Sequence, residues 1–219
     1  MRWIGRAALV VVSVAAAVVV SGEPAIAGPV SVPTDQLIAV SVGSPADTSG
    51  TLTAYQRRGD GSWSVVAGPT PAMLGSQGIG EPSETSTRTP AGTFGLDQAF
   101  GRQPNPGTKM PYFQAGVDDW WDGNVLSPTY NSHVHRAAGP GGDSENLYAA
   151  GPVYDYAVNI ASNPLRIPGQ GSAIFLHVTE NKPTAGCVTI DRGQMVQILR
   201  WLDPAQHPMI AIGVGRVRP

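Results

Sequence analysis

The sequence predicts a mostly-β single domain with one late helix. Three observations carry that reading. The 219 residues include 27 glycines and 20 prolines, where average usage would give about 26 of the two together, so turns are frequent and a helical bundle is excluded. Short alternating or β-branched runs bounded by Gly, Pro, Asn and Asp recur along the chain, as half-buried strands do. Only one stretch carries an apolar stripe at helical spacing.

The elements follow in chain order. Arg2 and Arg6 flank the start of an apolar run, Ala7–Val20, and Ala25-Ile26-Ala27 offers small residues for processing. Residues 1–27 therefore predict an export signal cut before Gly28. The run is shorter than the roughly 20 residues of a bilayer span, so no stable membrane anchor is expected after cleavage, and the mature protein is expected outside the cytoplasm. Residues 28–35 read as a linker and 36–219 as the domain. Gln36–Val42, Thr51–Gln56 and Ser62–Val66 form an expected antiparallel meander, with Arg58-Gly59-Asp60-Gly61 as its second turn. Residues 101–153 hold six prolines, Trp120-Trp121 and His133-Val134-His135 without periodicity. Such a length usually has a function, and its aromatics argue for an ordered insertion packed over the sheet as a wall of a cleft. Tyr154–Ile160, Ala173–Val178, Cys187–Ile190 and Met209–Val214 read as strands. Arg192–Leu202 is the helix, with Asp191 as its N-cap.

Charge excludes some functions. A net charge of -2 with 14% charged residues leaves no basic footprint for nucleic acid. Gly75-Ser76-Gln77-Gly78-Ile79-Gly80 has the wrong glycine order for a dinucleotide fingerprint and reads as a turn. His133 and His135, with Asp118, Asp119, Asp122, Asp143 and Glu145 nearby, invite a metal reading but lack the spacing of a zinc site. No metal and no cofactor are expected; the two histidines read as surface residues or cleft contacts. Trp120-Trp121 reads first as packing under a long loop.

The chain has one cysteine, Cys187. In an exported protein an unpaired cysteine points to an intermolecular bridge or a reactive thiol, against the plainer reading of a buried inert residue. A thiol nucleophile needs a base and oxyanion donors. His177 lies at a strand end ten residues earlier, and a hairpin-like return through Val178–Ala185 would set thiol beside imidazole. Gly186 permits a close approach or a positive φ, and the amides of Ala185, Gly186 and Cys187 are the candidate oxyanion donors.

These residues resemble the L,D-transpeptidase catalytic domain of the YkuD type. That family has a strand-end histidine followed by Ser/Thr-His-Gly-Cys, matched here by His177 and Thr184-Ala185-Gly186-Cys187. It also has an upstream Thr-Pro-x-Gly-x-Phe/Tyr segment, matched by Thr89-Pro90-Ala91-Gly92-Thr93-Phe94. The resemblance spans residues 36–214 and implies a β-sandwich-like sheet domain. It departs at Ala185, where most members have histidine, at Thr189, where Arg or Asn is common, and in the shorter link after His177. It implies that Cys187 is the nucleophile, His177 its base, and the Val178 carbonyl the group that orients the ring. Thr184 and Trp121 are candidate substrate contacts; Arg166, Arg192 and Lys182 are candidates for a substrate carboxylate. The implied partners are peptidoglycan stem peptides, with carbapenem-type β-lactams as inhibitors, and the implied reaction is 3→3 crosslinking or, with water, L,D-carboxypeptidation. A papain-like enzyme would place cysteine before histidine, and a sortase would separate the pair further. The rival from another class is a non-catalytic wall-binding protein that keeps the fold.

Overall fold

The computed structural model describes residues 34–219. The expected export signal and most of the linker lie outside the described residues. The strands are β1 (Gln36–Val42), β2 (Ser49–Arg57), β3 (Trp63–Met73), β4 (Ile79–Gly80), β5 (Thr89–Pro90), β6 (Gly92–Gly101) and β7 (Tyr112–Gln114). They continue as β8 (Asp119–Trp121), β9 (His133–His135), β10 (Glu145–Asn146), β11 (Ala157–Ile160), β12 (Phe175–Val178), β13 (Val188–Ile190) and, after helix α1 (Arg192–Trp201), β14 (Met209–Val214).

The main sheet runs β11-β12-β13-β3-β2-β1-β14-β6-β7, and β11 also pairs with β6, which closes it into a barrel. β1 is buried along almost its whole length because it sits between β2 and the parallel β14 with both faces covered, which explains its continuous apolar run. Ile38 and Val40 face the main core, and Leu37 and Ala39 face a smaller cluster with Ala211 and Val217. Met195, Ile198 and Leu199 of α1 enter the main core. The carboxylate of Asp191 caps the helix by accepting from the amides of Gly193 and Gln194. Among the described residues no helix is long and apolar enough to cross a membrane.

The structure differs from the expected elements at four places. β3 runs on to Met73, past the Gly68-Pro69 and Pro71 positions that read as breaks. It tolerates them because its pairing with β2 shifts register there and its other edge meets β13 only at Met73–Thr189, so few ladder donors are required of it. β6 is a ten-residue strand hidden by its glycines. Residues 151–154 form a single 3-10 turn, so β11 starts at Ala157 rather than Tyr154. Most consequential, β12 and β13 pair parallel, Leu176 with Val188, His177 with Thr189 and Val178 with Ile190. The return after His177 is therefore a crossover and not a hairpin. Residues 179–187 make it in an unusually short span for a parallel link, pinned midway where Thr184 bridges the chain at Gly75.

Residues 101–153 lie over the outer face of β6, β11 and β12. They contain β7 and a three-stranded sheet of β8, β9 and β10. Beneath them Phe100, Phe113, Trp121, Tyr154 and Phe175 pack ring on ring, with centroids 5.0–6.3 Å apart. Cys187 sits in this same cluster.

Candidate active site

Strand parity builds the site. Side chains two apart share a face, so Phe175 and His177 of β12 point the same way. In the parallel register Thr189 lies beside His177, which puts Cys187 beside Phe175 on that face. Cys187 and His177 are thus neighbours along one face of adjacent strands, one row apart.

The thiol rests against the start of β12. It donates to the Ala173 carbonyl at 3.4 Å and receives the Phe175 amide at 3.4 Å. Among the described residues no hydrogen bond joins it to His177. Cys187 is 8% exposed, and the residue lines a pocket of about 220 Å³ together with Ala185, Arg88, Glu84, Asp143 and Glu145. Desolvation pushes the thiol pKa well above its ordinary range, and the nearby Glu145 carboxylate adds to the rise.

His177 is 7% exposed. Its Nδ1 is 2.9 Å from the Val178 carbonyl, so the neutral ring carries its proton on Nδ1 and leaves Nε2 as the acceptor. The carbonyls of Val178 and Val153 favour the imidazolium, but burial outweighs them and lowers the pKa to about 4. The Tyr154 ring meets the imidazole at nearly a right angle, with centroids 5.0 Å apart. The Tyr154 hydroxyl donates to Glu145, a carboxyl whose pKa desolvation raises. The resting site therefore holds a neutral thiol and a neutral imidazole.

The turn before Cys187 is tightly tied. Thr184 Oγ1 donates to the Cys187 carbonyl at 2.7 Å and accepts the Gly186 amide at 3.1 Å, so its hydroxyl holds the turn. Gly186 has φ 142°, and a methyl group there would meet Ile174 Cδ1 at 3.0 Å and the Arg88 carbonyl at 3.3 Å. Thr89 of the upstream motif belongs to the same knot: it accepts the Gly75 amide and reaches the Cys187 carbonyl. Of the three candidate oxyanion donors, the Gly186 amide is already used, whereas no protein acceptor takes the amides of Ala185 or Cys187 among the described residues.

Other candidates fall elsewhere. Trp121 is buried, with its indole N–H donating to Asn131, and it lines a separate polar cleft of about 470 Å³ with Arg166 and His133. Arg192 is held by Asp155 and lies over the Tyr156 ring, and Lys182 is exposed beside Glu180. The cation that lines the thiol pocket is Arg88. His135 is a surface residue and His133 lines the polar cleft; both bond Asp119 Oδ1, at 3.0 and 2.7 Å, and His133 stacks on Phe113. Among the described residues no three His, Cys, Asp or Glu side chains group as a metal site would require.

Glu145 and Tyr154 are the residues that sequence reasoning did not place at the thiol; it offered Glu145 only as a possible metal co-ligand beside His133 and His135. Glu145 enters on the two-residue β10, too short to leave a pattern, and Tyr154 read as the start of a strand.

The model of the L,D-transpeptidase catalytic domain (YkuD) matches residues 9–210, and the chain belongs to that family. The family acts on peptidoglycan stem peptides through cysteine chemistry and is sensitive to carbapenems. No curated protein and no solved structure matches the chain.

Proposed function

We propose that this protein is an exported cysteine acyltransferase that remodels peptidoglycan by L,D-transpeptidation. Cys187 attacks the carbonyl on the L-centre of the third stem residue, His177 takes the thiol proton, and the terminal D-Ala leaves. An amine of a second stem peptide then resolves the thioester as a 3→3 crosslink; water in its place gives L,D-carboxypeptidation. The observation that carries this reading is the arrangement of Cys187 in the lining of a pocket, on the sheet face it shares with a histidine oriented by the Val178 carbonyl.

The electrostatics favour a concerted step. A neutral thiol beside a neutral imidazole gives up its proton as sulfur attacks, and no stored thiolate–imidazolium pair is needed. For this the sulfur leaves Ala173 and Phe175 and turns along the sheet face toward His177; such catalytic contacts often tighten only when substrate binds. The free amides of Ala185 and Cys187 supply the oxyanion donors, a contribution of about 3–4 kcal/mol for one donor in comparable sites.

Intact-protein mass spectrometry with a carbapenem tests the reading. The wild type should gain one adduct per chain, and Cys187→Ala none, with its fold retained because only the sulfur is removed. An unlabelled wild type would mark a non-catalytic wall-binding protein, and crosslinking by Cys187→Ala would end the cysteine mechanism.

A further inference from the structure

The thiol pocket is lined mainly by acidic side chains. Glu84, Asp143 and Glu145 line it against the single cation Arg88. Glu84 is tied to the Tyr130 hydroxyl. Glu145 is held by the Tyr154 hydroxyl, and the same Tyr154 ring packs its edge on His177. Tyr154 thus separates two ionisable groups, the imidazole on one side and the carboxyl on the other. Ala185, which shares the pocket wall, contributes only a methyl group. Of the three carboxylates that line the pocket with Cys187, Glu145 is the one whose charge acts on the thiol.

From this juxtaposition we infer that Glu145, steered by Tyr154, binds the amine of the acyl acceptor and takes its proton in the second half-reaction. The inference rests on the acyl-transfer reading above and adds a division of labour. His177 serves acylation and Glu145 serves transfer. The acceptor arrives as an ammonium ion, which an acidic pocket attracts. Glu145 removes one proton, the freed lone pair forms the N–C bond, and the C–S bond breaks. The sulfur leaves as a thiolate and takes the second nitrogen proton, which restores the thiol; the proton on Glu145 then passes to solvent. The products are an amide, a free Cys187 and one released proton. Burial, which favours the neutral carboxyl, makes the ionised form a stronger base than an exposed glutamate and ties its ionisation to the arrival of a cation.

The test is the partition of the acyl-enzyme between an amine acceptor and water. A tetrapeptide stem serves as donor and a second stem peptide as acceptor, with products counted by mass spectrometry on the full chain. In Glu145→Gln the ratio of transfer to hydrolysis should fall about 100-fold, the usual scale of a lost general base. Glu145→Asp should fall between, and Tyr154→Phe should lower the ratio less than Glu145→Gln because it only positions the carboxyl. A ratio within twofold of wild type in Glu145→Gln overturns the inference while leaving the cysteine mechanism standing. Complete loss of acylation in Glu145→Gln also overturns it, since that would place the carboxyl in the first half-reaction. A wild type that forms no acyl-enzyme overturns the acyl-transfer reading itself, and the inference with it.

Discussion

Lowering the pH from about 7.5 to 5.5 should leave the acylation of Cys187 almost unchanged. The magnitude follows from the burial of His177, which lowers its pKa to about 4. A base of that pKa is ~97% neutral at pH 5.5, whereas an ordinary histidine at about 6.5 would be only ~9% neutral. The two cases differ about tenfold in competent enzyme. Glu145 does not reverse this: as it gains a proton on the acid side, its repulsion of the developing thiolate fades, and the rate is helped. On the alkaline side the buried thiol stays neutral, so no second limb enters below about pH 9. The assay is the second-order rate of carbapenem adduct formation between about pH 5 and 9, beside an NMR titration of the imidazole identified by its absence in His177→Gln. A plateau is expected. An inflection near pH 6.5, or a bell centred near neutrality, would refute the neutral pair and restore a thiolate–imidazolium ground state.

Two further outcomes follow from the same geometry. The unfolded chain protonates His177 near pH 6.5 but the native state resists until about 4, so the stability associated with this group is complete above pH 6.5 and is lost as pH falls through that window, by about 3 kcal/mol at pH 4. Urea unfolding at pH 7 and 4.5 should show His177→Gln losing less stability on acidification than wild type, and equal losses would count against a buried neutral imidazole. Gly186→Ala forces a methyl group against Ile174 and the Arg88 carbonyl in a backbone region that disfavours side chains; it should cost about 1–3 kcal/mol in thermal unfolding and slow acylation, because the shifted turn carries Cys187. An unaltered adduct rate would separate that turn from the chemistry.

Where an apolar run was uninterrupted, the sequence was readable. Gln36–Val42 and Met209–Val214 appear as β1 and β14 with the same bounds, and Asp191 caps α1 as its side-chain chemistry implies. Legibility failed where a strand's partner, not its own residues, decides its state. β3 survives Pro69 and Pro71 because its partner shifts register. β6 survives its glycines because it lies between β14 and β7 along one edge and β11 along the other. The strands within 101–153 are two or three residues long; β7 exists through β6, and β8, β9 and β10 only through one another. For the same reason Cys187 and His177 could be named from one local stretch of chain, while Glu145, brought in through the pairing of β10 with β8, could not.

The short crossover after His177 shows how little of the site is local even where its residues are. A hairpin and a parallel return can each bring position 187 back toward position 177, but they differ in what the thiol faces. In the observed register Cys187 stands beside Phe175, with its sulfur on the β12 backbone, and the residue lines the acidic pocket. A one-residue slip would turn it through the sheet toward Leu176 and Val188 and into the main core. The pins that prevent this are Thr184 on Leu74 and Ser76, and Thr89 on Gly75 and the Cys187 carbonyl. Both threonines belong to the two motifs that carry the family resemblance. Neither offers an acid or a base. Their position in the knot explains why the upstream Thr-Pro-Ala-Gly segment, remote in sequence from the thiol, travels with it: it fixes which face of the sheet the sulfur occupies.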